Sequence, residues 1–299
     1  MIRNISDNDL INELKERFEK NKNMFRDQAQ LMTELKSVNE KLVISEGLKS
    51  NFLSNIRNEI NNPVASILEL SRNISEGNLS TENIKKFATL IYSETFNLDF
   101  QLRNIFASAE IEAGEAIVSP VSVNVSSLLE STLLSFKHQV EKKNIHLSVR
   151  TSFRNNETFC SDPEKLHLIL SNVLANAIQF SQVGGIVEIK FEIENGQLFF
   201  SILDNGPGIS ETDRRIIFDR FRQIEEGSTK TYGGHGLGLC ITKALLELID
   251  GEIKLESEKN KGSVFSVFVN ESENLQSEKD VFSSDGNDFL FIDSTDRMF

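Results

Sequence analysis

The sequence of 299 residues contains only two cysteines and no apolar stretch near the length that crosses a bilayer. Cys160 and Cys240 lie far apart without the spacing of a metal site, so we expect buried, reduced thiols and a cytoplasmic protein. A membrane-spanning helix needs about 20 apolar residues. The N-terminus also lacks the apolar core of a signal peptide. We therefore expect no direct membrane insertion, and any membrane connection would come through a partner.

Basic charge is also scarce, with 32 Lys and Arg against 45 Asp and Glu and a formal net charge of -13. Nucleic acids and anionic membranes require a concentrated basic face, which this sequence does not offer. We predict no nucleic-acid partner. A protein partner, or a nucleotide with its magnesium ion, fits the charge better. With 39% hydrophobic and 26% charged residues, the chain is long enough for two folded units.

The first 44 residues have the pattern of a coiled coil. No proline or glycine occurs between Leu10 and Val43, and apolar residues recur at steps of four, three and four. These residues are Leu31, Leu35, Val38 and Leu42. We predict a coiled-coil signalling helix over residues 1–44 that continues into the next segment. The alternative is one amphipathic helix that packs on its own domain.

Residues 45–114 predict a helical hairpin. The segment 75–83 is typical of a turn followed by a capped helix start, and a second long apolar helix follows it. A single hairpin cannot cover its own apolar stripe. Two copies that pair into a four-helix bundle would cover it, so we expect a homodimer.

Residues 115–270 have the pattern of a separate α/β domain, with alternating short strands and helices. The expected strands are 146–151, 185–193, 197–203, 252–256 and 263–269, and the expected helices are 125–142, 163–181 and 237–249. We predict a two-layer α/β sandwich that follows the α-helical hairpin. Residues 271–299 are acidic and serine-rich, which is typical of a disordered tail. Within it, residues 288–293 resemble the first strand of a receiver domain.

Residues 52–64 resemble the phosphoacceptor helix of bacterial sensor histidine kinases. Asn58 stands where that family has its histidine, Glu59 matches the acid that follows it, and Pro63 matches the proline five residues on. A neutral imidazole nitrogen has a localised lone pair that attacks phosphorus, whereas the asparagine amide nitrogen has its lone pair delocalised into the carbonyl. The resemblance therefore implies a chain that cannot phosphorylate itself. Asn62 stands where phosphatase members of the family orient the attacking water.

Four elements between residues 164 and 268 resemble the ATP-binding domain shared by histidine kinases, gyrase-type topoisomerases and related chaperones. The first is a pair of asparagines one helical turn apart, Asn172 and Asn176. The resemblance implies that Asn176 binds Mg2+ and that Asn172 supports the phosphates, although such a pair alone would indicate a solvated surface. Gln179 stands where the family often has a phosphate-binding lysine, which puts the strength of ATP binding in doubt.

The second element is an Asp-Asn-Gly-Pro-Gly sequence directly after an apolar strand. The resemblance implies that Asp204 binds the exocyclic amine of adenine, and that Gly206 and Gly208 leave room for the ring. An ordinary turn is the alternative for this sequence taken alone. The third element, residues 217–223, carries phenylalanines that we expect to anchor a lid over residues 225–231.

The fourth element is a glycine-rich loop that leads into a helix. Its backbone N–H groups form the concavity that a polyphosphate needs, and the resemblance assigns this role to Gly234, Gly236, Leu237 and Gly238. Lys230 in the lid is placed to reach phosphate. The loop does not follow a strand of a βαβ unit, which argues against a dehydrogenase. His235 is a candidate replacement acceptor, but a structural or solvent-facing histidine is the simpler interpretation.

Three classes of function follow from this pattern. The first is a degenerate histidine kinase that binds ATP and Mg2+, dimerises, and regulates a phosphorelay by dephosphorylating a receiver domain or by pairing with an active kinase. The second is an active kinase whose histidine was replaced by engineering. The third is a non-enzymatic scaffold that binds ATP as a structural ligand.

Overall fold

The structure, a computed structural model, describes residues 7–77, 79–154, 157–220 and 236–272. The chain divides into two compact units. One comprises Met1–Gly114 and Ile209–Ile241, and the other comprises Glu115–Gly208 and Thr242–Phe299. Among the described residues, no helix has both the length and the apolar character needed to cross a membrane.

The first unit is built on two long helices that contact each other, α1 (Asp7–Glu76) and α2 (Thr81–Ala113). The Ser80 hydroxyl caps α2 by accepting a hydrogen bond from the Asn83 backbone N–H, as serine does at a helix start. Gly114 ends α2 with a positive φ of 70°, which glycine adopts without a steric penalty. The predicted helical hairpin is therefore confirmed, and one continuous helix spans both the predicted signalling segment and the first arm.

The predicted coiled-coil seam on α1 faces solvent in the single chain. Leu31, Leu35, Val38 and Leu42 each expose more than half of their surface. Tertiary contacts within this chain therefore do not cover the stripe. Its pairing with a second helix stays a prediction.

The second unit contains a mixed five-stranded sheet. Its strand order is β2-β4-β5-β7-β6; β2 pairs with β4 in parallel, and the other neighbours are antiparallel. A separate antiparallel pair joins β1 and β3. The strands are β1 (Val121–Asn124), β2 (His146–Thr151), β3 (Thr158–Ser161), β4 (Ile186–Glu194), β5 (Gln197–Asp204), β6 (Gly251–Glu258) and β7 (Gly262–Asn270).

Further helices follow α2: α3 (Val125–Ser135), α4 (Lys137–Lys142), α5 (Pro163–Phe180), the short α6 (Glu211–Arg214), which belongs to the first unit, and α7 (Gly238–Leu248). Helix α5 contacts β5, and α3 contacts α5. Strands β5 and β7 alternate between buried and half-buried residues, as expected of a sheet with one covered face. The buried side includes Phe191 and Phe200, whose rings stack 5.3 Å apart. The predicted α/β two-layer sandwich is confirmed.

Two details of the sequence-based prediction were wrong. The single helix expected over residues 125–142 is two helices, separated at Phe136, which is buried and therefore continues the apolar pattern across the break. The strands β1 and β3 were not predicted. Each has only four residues, so its pattern is too short to stand out from a connecting segment.

Candidate functional site

The phosphoacceptor-like segment lies within α1. Asn58 and Asn62 are exposed, and Pro63 is buried inside the continuous helix. Glu59 lies in the same helix, with its side chain outside the described part of the structure. The two amides are four residues apart, so they project from the same face of the helix. This face presents hydrogen-bonding groups to solvent but no imidazole.

The asparagine pair lies on α5, the central helix of the second unit. Asp162 caps this helix by accepting a hydrogen bond from the Lys165 N–H, and Pro163 follows at its first position. Asn172 is buried at 2% exposure, whereas Asn176 and Gln179 are half-buried. Asn176 and Gln179 are therefore partly open to solvent, whereas Asn172 lies beneath the surface. Helix α5 contacts β5, the strand that ends at Asp204.

Asp204 ends β5 and is almost fully buried, with 4% of its surface exposed. Its carboxylate accepts a hydrogen bond of 2.7 Å from the Gly206 N–H and another from the Ser263 N–H. Gly206 is held closely on two sides, since an added Cβ would lie 2.6 Å from Asp204 Oδ1 and 2.8 Å from the Phe180 carbonyl oxygen. Only glycine fits between the end of α5 and this carboxylate.

The turn between β6 and β7 closes on the loop after Asp204. The Asn260 N–H donates to the Pro207 carbonyl at 2.6 Å. Gly208 and Gly262 have positive φ angles of 64° and 88°, and a Cβ on either would collide with a backbone carbonyl oxygen, that of Glu258 or of Asp204. Both positions therefore require glycine for conformation and for space. These contacts pack the loop after Asp204 against the β6–β7 turn.

Burial raises the pKa of Asp204 to about 6, because desolvation disfavours the charged carboxylate. The backbone N–H groups of Gly206 and Ser263 act in the opposite direction and limit the rise. The two hydrogen bonds leave acceptor capacity on the carboxylate. A buried carboxylate with remaining acceptor capacity is suited to accept a hydrogen bond from an amino group.

The raised pKa of Asp204 predicts a pH-dependent stability. The Asp204 carboxyl group binds its proton more tightly in the folded chain than in the unfolded chain, where its pKa is near 3.8. The free energy of unfolding should therefore fall as the pH rises from about 4 to about 6 and then level off. Between pH 5.5 and pH 7.5, the titration of Asp204 should lower the free energy of unfolding by about 1 kcal/mol. Asp204→Asn, which cannot ionise, should lack this component in urea titrations at the two pH values.

The control for this pH prediction is Glu252→Gln, which removes an exposed carboxyl group from β6 of the same sheet. It should keep the wild-type difference between the two pH values. An Asp204→Asn variant with the full wild-type difference would assign the pH dependence to other groups.

The glycine-rich loop is described only in part. Gly236 has a positive φ of 67°, Leu237 is buried at 2% exposure, and Gly238 begins α7. The Ile241 N–H donates to the Leu237 carbonyl at 2.9 Å, which fixes the first turn of the helix. Gly234, Lys230 and His235 lie outside the described residues, as do residues 225–231 and 288–293. Their assigned roles stay predictions.

Three residues that shape this region were not predicted from the sequence. Ser263 and Gly262 lie about 60 positions beyond Asp204 in the sequence and reach it only because β5 pairs with β7, with Asp204 opposite Ser263. Lys143 reaches the end of α5 with its side chain. The only available signal was Gly262, directly before the predicted strand at 263–269. A glycine at such a position often marks a close approach of two backbone segments.

Comparison with known proteins supports the assignment of an ATP-binding domain to this region of the chain. The family model described as histidine kinase-, DNA gyrase B- and HSP90-like ATPase matches residues 161–273. A solved structure of full-length ShkA in complex with AMPPNP shares the fold, with a TM-score of 0.52 and 23% identity, over 76% of this chain and 46% of that one.

Curated relatives are sensor kinases that are much longer than this chain. The circadian input-output histidine kinase CikA of Synechococcus elongatus is 30% identical over 226 residues, which cover 75% of this chain and 30% of CikA. The sensor protein GacS of Pseudomonas syringae pv. syringae is 34% identical over 224 residues, covering 73% of this chain and 24% of GacS. This chain thus spans less than a third of either relative. It carries a histidine kinase-type ATPase domain of the kind found in two-component signalling proteins.

Proposed function

We propose that this chain binds ATP with Mg2+ and acts in a two-component phosphorelay without phosphorylating itself. The observation that carries this proposal is the coexistence of a buried Asp204, whose carboxylate is held by the Gly206 N–H, with an exposed asparagine at position 58. The first feature suits nucleotide binding. The second removes the nucleophile that would accept the phosphoryl group.

In this proposal Asp204 accepts a hydrogen bond from the amine of adenine, and Gly206 and Gly208 leave the ring its space. Asn176 supplies an amide oxygen to Mg2+, which prefers oxygen ligands and bridges phosphates. Asn172 and Gln179 support the phosphate side. Lys230, Gly234, Gly236, Leu237 and Gly238 bind the polyphosphate from the lid and the glycine-rich loop. The partial exposure of Asn176 and the burial of Asp204 support these roles.

We further propose that the chain works as a dimer that contacts the receiver domain of a response regulator. The exposed apolar stripe on α1 supports pairing, either with a second copy or with an active kinase. The exposed Asn62 supports a phosphatase role, in which its amide orients the water that attacks the receiver's phosphoaspartate. Glu59 would assist as the neighbouring acid.

The phosphatase role is tested by the decay of a phosphorylated cognate receiver domain with and without the full chain. We expect faster decay with the chain, and loss of most of this acceleration in Asn62→Ala because the water is no longer oriented. Asn61→Ala, one residue earlier and also exposed, is the matched control and should keep the activity. A receiver that decays at the same rate in the presence of the wild-type chain would reject the phosphatase role.

A further inference from the structure

Lys143 makes contacts that neither the sequence motifs nor the proposed site use. It is the C-terminal capping residue of α4, and its side chain extends to the far end of α5. Its Nζ donates three hydrogen bonds to backbone carbonyls, at 3.0 Å to Ile178, 2.6 Å to Gln179 and 3.0 Å to Ser181. A lysine ammonium has three N–H donors, so each one has a carbonyl partner.

These carbonyls belong to the end of α5 that lacks charge compensation of its own. The last four carbonyls of a helix have no partner within the helix, and the end carries a partial negative charge from the helix dipole. Helix α5 has no basic residue in its last turn. Lys143 therefore supplies from 35 to 38 positions away both the donors and the positive charge that this helix end lacks.

The backbone of Lys143 strengthens the same connection. Its carbonyl accepts a hydrogen bond of 2.9 Å from the Gly184 N–H, so the residue binds the chain after α5 through both its backbone and its side chain. Burial lowers the pKa of the ammonium. The three hydrogen bonds to carbonyl groups compensate part of the free-energy cost of removing the ammonium from water.

The end of α5 lies close to two parts of the proposed nucleotide site within the second unit, the amide of Asn176 and the loop that holds Asp204. Asn176 lies three residues before Gln179, whose carbonyl Lys143 binds. The Phe180 carbonyl lies against Gly206, on the loop that holds Asp204. A shift of this last turn would therefore move Asn176, the proposed Mg2+ ligand, and disturb the packing of Gly206, whose N–H binds Asp204.

We propose that Lys143 is a positioning residue for the nucleotide site. Its ammonium fixes the last turn of α5 and neutralises the negative end of that helix, next to the place where the polyphosphate and Mg2+ of ATP bind. This role rests on the proposed function. It requires no contact between Lys143 and the nucleotide.

The test compares Lys143→Met with Lys142→Met in the full chain. Each variant removes one ammonium from the end of α4, but Lys142 is exposed and Lys143 binds α5. Dissociation constants for ATP are measured by calorimetry with and without MgCl2, at constant ionic strength. We expect Lys143→Met to weaken Mg-ATP binding about tenfold and to reduce the gain in affinity that Mg2+ provides. Lys142→Met should match the wild type in both.

Other variants separate positioning from stability. Lys143→Arg keeps a cation with several donors and should retain most of the affinity. Lys143→Gln keeps a donor but no charge, and it should show the reduced Mg2+ effect even if Lys143→Met does not fold. A folded Lys143→Met or Lys143→Gln chain with wild-type affinity and wild-type Mg2+ gain would overturn the positioning role while leaving the proposed function intact. A wild-type chain that binds no ATP would reject both.

Discussion

Asn58→His is expected to convert a chain that takes no phosphoryl group from ATP into one that does. The substituted side chain would lie on an exposed position of α1, directly before Glu59, so an imidazole there is open to solvent and adjacent to an acid. The acid can polarise the ring, and the ring nitrogen can attack the γ-phosphorus. Incubation with ATP labelled in the γ-phosphate should give acid-labile label on Asn58→His well above background, and none on the unmodified chain.

Two controls make this experiment decisive. Asn58→Gln alters the same position without adding a nucleophile and should stay unlabelled. Asn58→His combined with Asp204→Ala should also stay unlabelled, because the nucleotide would not be held. Label on the unmodified chain would contradict the proposed loss of self-phosphorylation. An Asn58→His chain that binds ATP but takes no label would favour the non-enzymatic scaffold.

Asp204→Ala is expected to abolish the stabilisation that ATP gives to the folded chain. A ligand that binds only the folded state stabilises it by about 2.7 kcal/mol when its free concentration is a hundred times the dissociation constant. The alanine variant loses the buried acceptor for the adenine amine and leaves the Gly206 and Ser263 N–H groups without their carboxylate. The measurement is the shift of the thermal midpoint with increasing Mg-ATP.

Glu252→Ala is the matched control for this measurement, because it removes an exposed carboxylate from β6, a strand of the same sheet that does not pair with β5. It should show the full wild-type shift. A normal ATP-dependent shift in Asp204→Ala would remove this residue from the nucleotide site. Because Asp204→Ala relieves the burial of a carboxylate, its midpoint without nucleotide is compared separately with that of the wild type.

Much of the fold could be predicted because its signals are local. The turn near residue 77 combines a glycine with a serine cap, and the structure ends α1 at Glu76 and begins α2 at Thr81. In the main sheet, β2, β4 and β6 show alternating apolar residues over six to nine positions, and β5 and β7 are nearly continuous apolar runs. Patterns of this length are strong enough to identify an element from its own residues.

The candidate site was less predictable, because its geometry depends on pairs of residues that are distant in the sequence. The motif around Asp204 suggested a carboxylate at a strand end, but not its burial, its raised pKa, or the donation from Ser263. These depend on the pairing of β5 with β7 and on the packing of α5 beside Gly206. A local motif carries no information about such neighbours.

The sequence by itself determined the order of the motifs, the helical hairpin, and the absence of an imidazole at Asn58, because each is a property of neighbouring residues. Only the tertiary structure decided that Asp204 is desolvated and that Lys143 caps α5 from 35 to 38 positions away. Desolvation and helix capping at a distance both arise when the chain folds back on itself. Nothing in the sequence around Lys143 indicates which carbonyl groups its side chain will bind. Only folding brings the ammonium and these groups together.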